Sequence, residues 1–460
     1  MIPYLVFIVA SCVMLFNGIS ASAISVAFPD ITASFNTSLV VSGWILSSFQ
    51  VVSTASMVIM GKVSDVIGRK ATFLICLSLF ITGSLCAALS PNIQLLIFSR
   101  VLQGVGGGGF VPSVVAITAE QFPNNRQKAI GLGMSVFPIG QIIGPNLGSW
   151  LLSAFGWRSI FWINVPLGLV ALIIMALLLK RQEIRKAYID FTGAGLFTGA
   201  LFALMFGISE IGMKHNTLLS WATVGLLFAG FIVLLGIFLR HEIKSKEPII
   251  DMEVLKKKPF VSANIYNFIF GSCMFGLSSF IPLYAVSVYR MSTFESGIVL
   301  ASRSVGMILA SFTSSFFLMR WGYRWPMLIG TFLIAIAFAL LGFQPSHFNL
   351  LGITLGDQMV ISLVVGLSGI GMGIASPAAN NACIDLMPTK VGTITGVRGM
   401  FRQAGGAISI AIITLILESS GSIASGFDLI FLGMAVLTLI TVPCIFGMPG
   451  RALAFSGKTR

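Results

Sequence analysis

The chain has 460 residues, of which 56% are hydrophobic and only 9% charged, and its mean hydropathy is +0.97. A soluble domain carries about 25% charged residues, so this chain cannot cover itself with a water-compatible surface and reads as a polytopic membrane protein. A net charge of +13 would point to nucleic acid in a soluble protein. Here the basic residues gather in short loops, where they read as topology signals beside lipid headgroups.

A bilayer span needs about 20 apolar residues. Fourteen runs qualify: 4–27, 39–60, 71–90, 93–118, 128–152, 159–180, 190–211, 219–240, 259–289, 296–319, 326–345, 356–383, 392–418 and 426–449. The first has no basic leader and no cleavage site, so it reads as a span and not as a removable signal. An even number puts both termini on one side. With cytoplasmic termini, the cytoplasmic segments hold 21 Lys and Arg residues against three opposite, Arg158, Lys214 and Arg290. That imbalance sets the orientation. Every connection is short, which leaves no room for a soluble catalytic domain.

Between spans 2 and 3 lies a polar island, Gly61-Lys62-Val63-Ser64-Asp65-Val66-Ile67-Gly68-Arg69-Lys70. Its two glycines are expected to form a tight turn. In span 4, Arg100 stands about eight residues, or roughly 12 Å, from the nearer end. An arginine at that depth marks function by default, with outward snorkelling as the alternative. Asn17 and Ser20, at comparable depth on span 1, are its expected partners. The following Gly104-Val105-Gly106-Gly107-Gly108-Gly109 contains a nucleotide-loop pattern. No strand precedes it, and close helix approach explains it better.

Span 5 places Gly140, Gly144 and Gly148 on one helix face. This is a smooth stripe for a neighbouring helix, with Pro145 removing a backbone donor inside it. Trp157-Arg158, opening span 6, suits an interfacial belt. Arg303 lies in span 10, and Arg398 and Arg402 share a face of span 13 beside Gln403. These arginines either bind polar or anionic parts of a substrate or lock helices to carbonyls. The carboxylates lie near span ends. Asp30, Glu210, Asp357 and Glu418 are at outer ones, and Glu120, Asp385 and Asp190 at inner ones, where most read as solvated. Asp30 and Asp357 are the candidates for a protonated coupling group. His215, His241 and His347 fall in or beside loops, which argues against a buried histidine relay. All six cysteines sit in apolar stretches and read as packing residues.

An internal repeat appears at an offset of 265 residues. Gly104, Gly106, Gly108, Pro112, Glu120, Pro123, Gly131 and Gly140 fall on Gly369, Gly371, Gly373, Pro377, Asp385, Pro388, Gly396 and Gly405. Spans 4 and 5 thus correspond to spans 12 and 13. Two parallel halves of six spans are the architecture of rocker-type transporters, with substrate bound near the midplane.

These residues together resemble a known family. Gly61 to Lys70 matches the loop 2–3 signature of the major facilitator superfamily, and Arg100-x-x-Gln103-Gly104 resembles its span 4 motif. Gly140-x-x-x-Gly144-Pro145-x-x-Gly148 looks like its span 5 antiporter motif. Trp157-Arg158 through Asn164-x-Pro166, the fourteen spans and Arg402-Gln403-x-Gly405-Gly406 resemble the fourteen-spanner drug:proton antiporters. The resemblance implies an all-α integral membrane fold of two six-helix bundles plus two inserted helices. The expected domains are residues 1–186, the inserted pair 187–256, and residues 257–460.

The resemblance also implies export of amphipathic drugs from the cytoplasm through a multi-pass protein of the cytoplasmic membrane. Gly61, Asp65, Gly68 and Arg69 would gate the cytoplasmic side, with Asp65 capping a helix of the other half. Asn17, Ser20, Arg100, Gln103, Arg303, Arg402 and Gln403 would line the polar pathway. The proton gradient takes the place of any cofactor. The expected partners are a small amphipathic substrate and the bilayer, with no nucleic acid, and the chain is expected to be a monomer. One departure stands out. The family has an Asp in span 1 where this chain has Ser20, so Arg100 lacks its usual carboxylate. The second reading is therefore a translocase of lipids or lysolipids, or an exporter of an anionic metabolite. An enzyme finds no catalytic constellation to support it.

Overall fold

The computed structural model describes residues 2–122, 126–179, 190–212, 218–245, 258–345, 348–350, 353–385 and 391–450. The chain divides into two compact units, Met1–Ile249 and Ile250–Arg460. Each of the fourteen expected runs contains a helix among the described residues. The first unit contains α1 (Ile2–Ser34), α2 (Leu39–Ile67), α3 (Arg69–Ala88), α4 (Ile93–Gln121), α5 (Arg126–Phe155), the short α6 (Ser159–Trp162) leading into α7 (Asn164–Leu178), then α8 (Phe191–Gly212) and α9 (Leu218–Lys244). The second contains α10 (Lys258–Gly271), a π-helical segment (Ser272–Gly276) and a 3-10 turn (Leu277–Phe280) leading into α11 (Ile281–Tyr289). After these come α12 (Thr293–Trp321), α13 (Arg324–Gly342), α14 (Asp357–Ile384), α15 (Val391–Ser419), α16 (Ile423–Ile440) and α17 (Val442–Gly447). A two-stranded antiparallel hairpin, Phe348–Leu350 with Ile353–Leu355, precedes α14 and was not among the expected elements.

Among the described residues, twelve helices are long and apolar enough to cross a membrane. The expected fourteen is not reached by that measure. The two that fall short are α5 and α8, the latter with an apolar stretch only from Gly195 to Ile211. The turn between α2 and α3 also differs from expectation. Gly61 and the residues up to Ile67 extend α2, and the reversal is made at Gly68 alone, with φ 90°. Gly322 does the same between α12 and α13, with φ 68°. An L-residue resists that backbone region; glycine does not.

The glycines set how closely the helices approach. On α4, a Cβ at Gly104 or Gly108 would meet the Phe49 or Ser53 carbonyl of α2, and one at Gly106 the Cys76 carbonyl of α3. On α14, Gly369 and Gly373 stand in the same way against the Arg303 and Met307 carbonyls of α12, and Gly371 against that of Gly330 on α13. Gly140 on α5 meets Leu15 of α1, and Gly405 on α15 meets Phe268 of α10. Gly18 faces the Phe137 carbonyl and Gly271 that of Arg402. The repeat is therefore three-dimensional. Its offset of 265 residues holds for α4 and α5 and becomes 254 for α2 and α3, as Cys76 and Gly330 show.

Side chains fill what remains. In the first unit, Phe73, Phe80 and Phe110 lie at the centre of a buried cluster with Val13, Met14 and Met175. Trp44 of α2 stacks on Phe206 of α8 at 4.3 Å between ring centres, tying the added pair to this unit. Across the chain, bilayer-compatible residues such as Leu177, Leu226, Phe312 and Leu429 stay exposed on the outside.

Candidate functional site

Arg100 is buried, 1% exposed. It neither snorkels nor meets the residues expected of it. Its Nε donates to the Ile45 carbonyl at 3.0 Å, its Nη1 donates to Gln103 Oε1 at 2.7 Å, and its guanidinium lies 4.2 Å above the Phe49 ring. Gln103 passes the chain on, donating to Ser84 Oγ at 2.8 Å. A buried guanidinium is tolerable only when its donors are taken, and here a carbonyl, an amide and an aromatic face take them. The expected partnership with Asn17 and Ser20 is thus corrected. Asn17 donates to the Gly107 carbonyl at 3.4 Å, and Ser20 accepts from Asn164 Nδ2 at 3.3 Å. Both face other elements of their own unit.

The second unit is built differently. The π segment is bracketed by Gly271 and Gly276, and three successive carbonyls in it receive side-chain donors. Ser278 Oγ donates to Cys273 at 2.9 Å, Arg303 Nη1 to Met274 at 3.4 Å, and Ser279 Oγ to Phe275 at 2.6 Å. π segments recur at functional sites because they re-aim carbonyls and side chains. Arg402 stands 5.4 Å from the Phe275 ring. Arg303 and Arg402 therefore meet consecutive residues of the same segment. Arg398 lies one turn from Arg402 on α15, within electrostatic reach of Cys383.

These arginines are less well satisfied than Arg100. Arg303 also reaches Met372 Sδ at 3.3 Å, a weak acceptor, and its buried Nε has no hydrogen-bond partner; nor has the buried Nε of Arg398. All three side chains are partly exposed, as is Gln403. Among the described residues, none of the three forms an ion pair. Glu295 accepts from Ser292 at the start of α12, Asp385 from Tyr323 and Asp428 from Gln344. Between α10, α15 and α16, an apolar cavity of about 510 Å³ opens among exposed Ile265, Ile412 and Leu429.

The other expected residues fall as follows. Gly140, Gly144 and Gly148 press on Leu15, Ile19 and Ala23 of α1, so the stripe faces that helix, and Pro145 is buried inside an α5 assigned as one helix. Arg69 donates to Glu120 at 2.9 Å and to the Ala116 carbonyl at 3.0 Å. The side chain of Asp65 lies outside the described residues. Asp30 on α1 and Asp357 in the first turn of α14 are partly buried. Arg158 lies over Trp157 at 4.3 Å and donates to the Ser90 carbonyl at 3.1 Å, in keeping with a structural belt. Asp190, read as a solvated end, is in fact buried. It accepts from Gly193 N and pairs with His241 Nε2, each at 2.8 Å. Among the described residues no cluster could hold a metal ion.

Sequence reasoning missed Asn164, Ser84, Phe49 and the π segment. Gln103 was three residues from Arg100 and already within helical reach. Nothing in the residue pattern marks the π segment at Ser272–Gly276.

The Major Facilitator Superfamily model matches residues 10–409 and again 291–456. Two relatives come from Bacillus subtilis (strain 168). Multidrug transporter protein MdtP is 27% identical over 458 residues, 97% of this chain and 79% of that protein. Multidrug resistance protein 3 is 31% identical over 372 residues, 80% of this chain and 71% of that protein. Among solved structures, a bacterial homolog of the human lysosomal transporter Spinster, in an inward-facing and unoccupied conformation, has a TM-score of 0.68 at 16% identity, covering 97% of this chain and 96% of the other. With glycine-lined helix contacts repeated in both units and a family match that runs through both, this multi-pass membrane chain belongs to the Major Facilitator Superfamily.

Proposed function

We propose that this chain is a secondary active transporter, not an enzyme, exporting amphipathic drugs or related small molecules across the cytoplasmic membrane by proton antiport with alternating access. One observation carries the reading: similarity over 97% and 80% of this chain to proteins named for multidrug transport and resistance. The glycine stripe of α5 against α1 supports it, since a face without side chains lets one helix slide on another. The Lys and Arg imbalance supports cytoplasmic termini.

In this reading Asp65, Arg69 and the Gly68 turn gate the cytoplasmic side. Arg100 and Gln103 brace the first unit. Asp30 and Asp357 are the candidates for a protonated group, because Ser20 cannot titrate. No cofactor is called for beyond the gradient. The test is uptake of a fluorescent drug into inside-out vesicles under an imposed proton gradient. Uptake should rise or fall with the gradient's direction. Indifference to the gradient across a broad compound panel sinks proton antiport. Asp65→Asn should slow transport severalfold with little change in substrate affinity; equal losses in both would remove Asp65 from the gate.

A further inference from the structure

The second unit holds three arginines on two helices, and their positions are not those of structural struts. Arg303 and Arg402 address Met274 and Phe275, neighbours on one π segment, and Arg398 stands a turn below Arg402. Each side chain keeps some exposure within an otherwise buried interior. The Nε atoms of Arg303 and Arg398 are buried without an acceptor, although Nε is half of the fork by which arginine grips an oxyanion. Three guanidiniums near the middle of an apolar bundle, with no ion pair among the described residues, need a counter-charge from somewhere.

The described carboxylates of this unit cannot supply it. Glu295 and Asp357 open their helices, Asp385 follows α14, Glu418 lies in the last turn of α15, and Asp428 accepts from Gln344 beyond α13. From Arg402 to Glu418 is sixteen residues along one helix, about 24 Å. Arg100 shows what a finished structural arginine looks like in this protein, and these three do not match it.

We propose that the second unit carries an oxyanion-binding site formed by Arg303, Arg398 and Arg402 around Ser272–Gly276, and that the amphiphile this chain carries presents a carboxylate, sulfonate or phosphate there. The inference rests on the reading of the chain as an exporter of amphipathic compounds, and it names the charge of the compound. The anion accepts from the guanidiniums of Arg303 and Arg402, while Arg398 adds field from one turn away. The π segment holds the site's geometry by keeping Arg303 Nη1 on the Met274 carbonyl.

The experiment measures binding to the purified full chain in phosphatidylcholine nanodiscs at mildly alkaline pH. The probes are dansyl-undecanoic acid and its methyl ester, which differ in charge and little else. The acid should bind about tenfold tighter than the ester, as a charge-assisted pair predicts. It should also raise the melting temperature of the wild-type protein where the ester does not, a readout that needs no variant. The preference should collapse in Arg303→Gln and Arg402→Gln and survive in part in Arg402→Lys, which keeps the charge. Equal binding of acid and ester to the wild type overturns the proposal. So does an acid preference that is undiminished in the double Gln variant. Phosphatidylglycerol in the disc then separates two sources of the same chemistry. If it displaces the acid, a lipid headgroup occupies the site; if it does not, the ligand is a free amphiphile. Because binding is read without a gradient, a wrong coupling ion leaves the acid preference intact. Conversely, a missing acid preference leaves gradient-driven export of other compounds standing.

Discussion

In the first unit Gly104 rests on the carbonyl of Phe49, and Arg100 lies over that phenylalanine's ring; in the second, Gly369 rests on the carbonyl of Arg303, and Val365 stands where Arg100 would be. The backbone contact is the same and the side chains have changed places. An arginine that leans on an aromatic ring and is hydrogen-bonded by its own unit has become an arginine in the aromatic position with an unpartnered Nε. Helix approach in the repeat is fixed by glycine against carbonyl, a contact that tolerates no side chain. The polar interior is free to diverge between the halves.

The largest effects should come from what the two units share. In both Gly140→Val and Gly405→Val, a branched side chain would be driven into a neighbouring carbonyl, Leu15 in one and Phe268 in the other. Overpacking against backbone has no flexible atom to yield, so each variant should lose about 3 kcal/mol, the upper end of the usual cost. The check is the yield of monodisperse protein and its melting temperature. If one variant is tolerated and the other is not, the two units do not share this contact energetically.

The next effect separates them. Arg100→Met removes a buried charge but orphans Gln103 Oε1, and should destabilise by about 3 kcal/mol. Arg303→Met removes a charge whose Nε has no acceptor and should change stability by less than about 1 kcal/mol in either direction. Thermal unfolding in one detergent measures both. Similar losses at the two positions would make Arg303 a strut and erase the contrast. A smaller, shared effect is expected at the reversals. Gly322→Ala should cost about 1 kcal/mol and Gly68→Ala about 1–3 kcal/mol, since both glycines hold a positive φ and Gly68, with ψ 154°, lies in a region open to little but glycine. Gly61→Ala, inside a helix, should cost nothing.

Much of this was legible in the sequence, and the reasons for the rest are specific. The repeat could be read because glycine spacing records helix contact directly. The depth of Arg100 could be read from residue count, but its partner could not. Depth gives position along the membrane normal and says nothing about rotation, so Asn17 and Ser20 looked as good as any. One true partner, the Ile45 carbonyl, is backbone and leaves no trace in composition. Asp190 sits at a span end as expected, yet it caps α8 through Gly193 N and pairs with His241 from fifty-one residues away. Only tertiary structure brings those two together. The grouping of Arg303 with Arg402 was hidden for the same reason, since they meet through a π segment that neither helix contains.

The smallest effect is the sharpest test of the comparison. At the repeat offsets, Arg69 corresponds to Tyr323 and Glu120 to Asp385. Both pairs are in contact: Arg69 with Glu120 at 2.9 Å as an ion pair, and the Tyr323 hydroxyl donating to Asp385 at 2.8 Å. The first pair is partly exposed, so Glu120→Gln should cost less than about 1 kcal/mol, and less still at high salt. Tyr323 is buried. Burial, the bond to Asp385 and that carboxylate's charge push its phenol above its usual range. A group raised in the folded state gives its stabilisation in full below its unfolded pKa, near 10 for tyrosine, and loses it only as pH climbs through the folded value. Tyr323→Phe should therefore cost about 1 kcal/mol, equally at low and high salt and equally across the neutral range. Salt titration of the two variants in parallel reads the difference. A Tyr323→Phe cost that fades with salt would mean that Asp385 is held by charge, as Glu120 is, and that the two units differ at these helix ends in residue type alone.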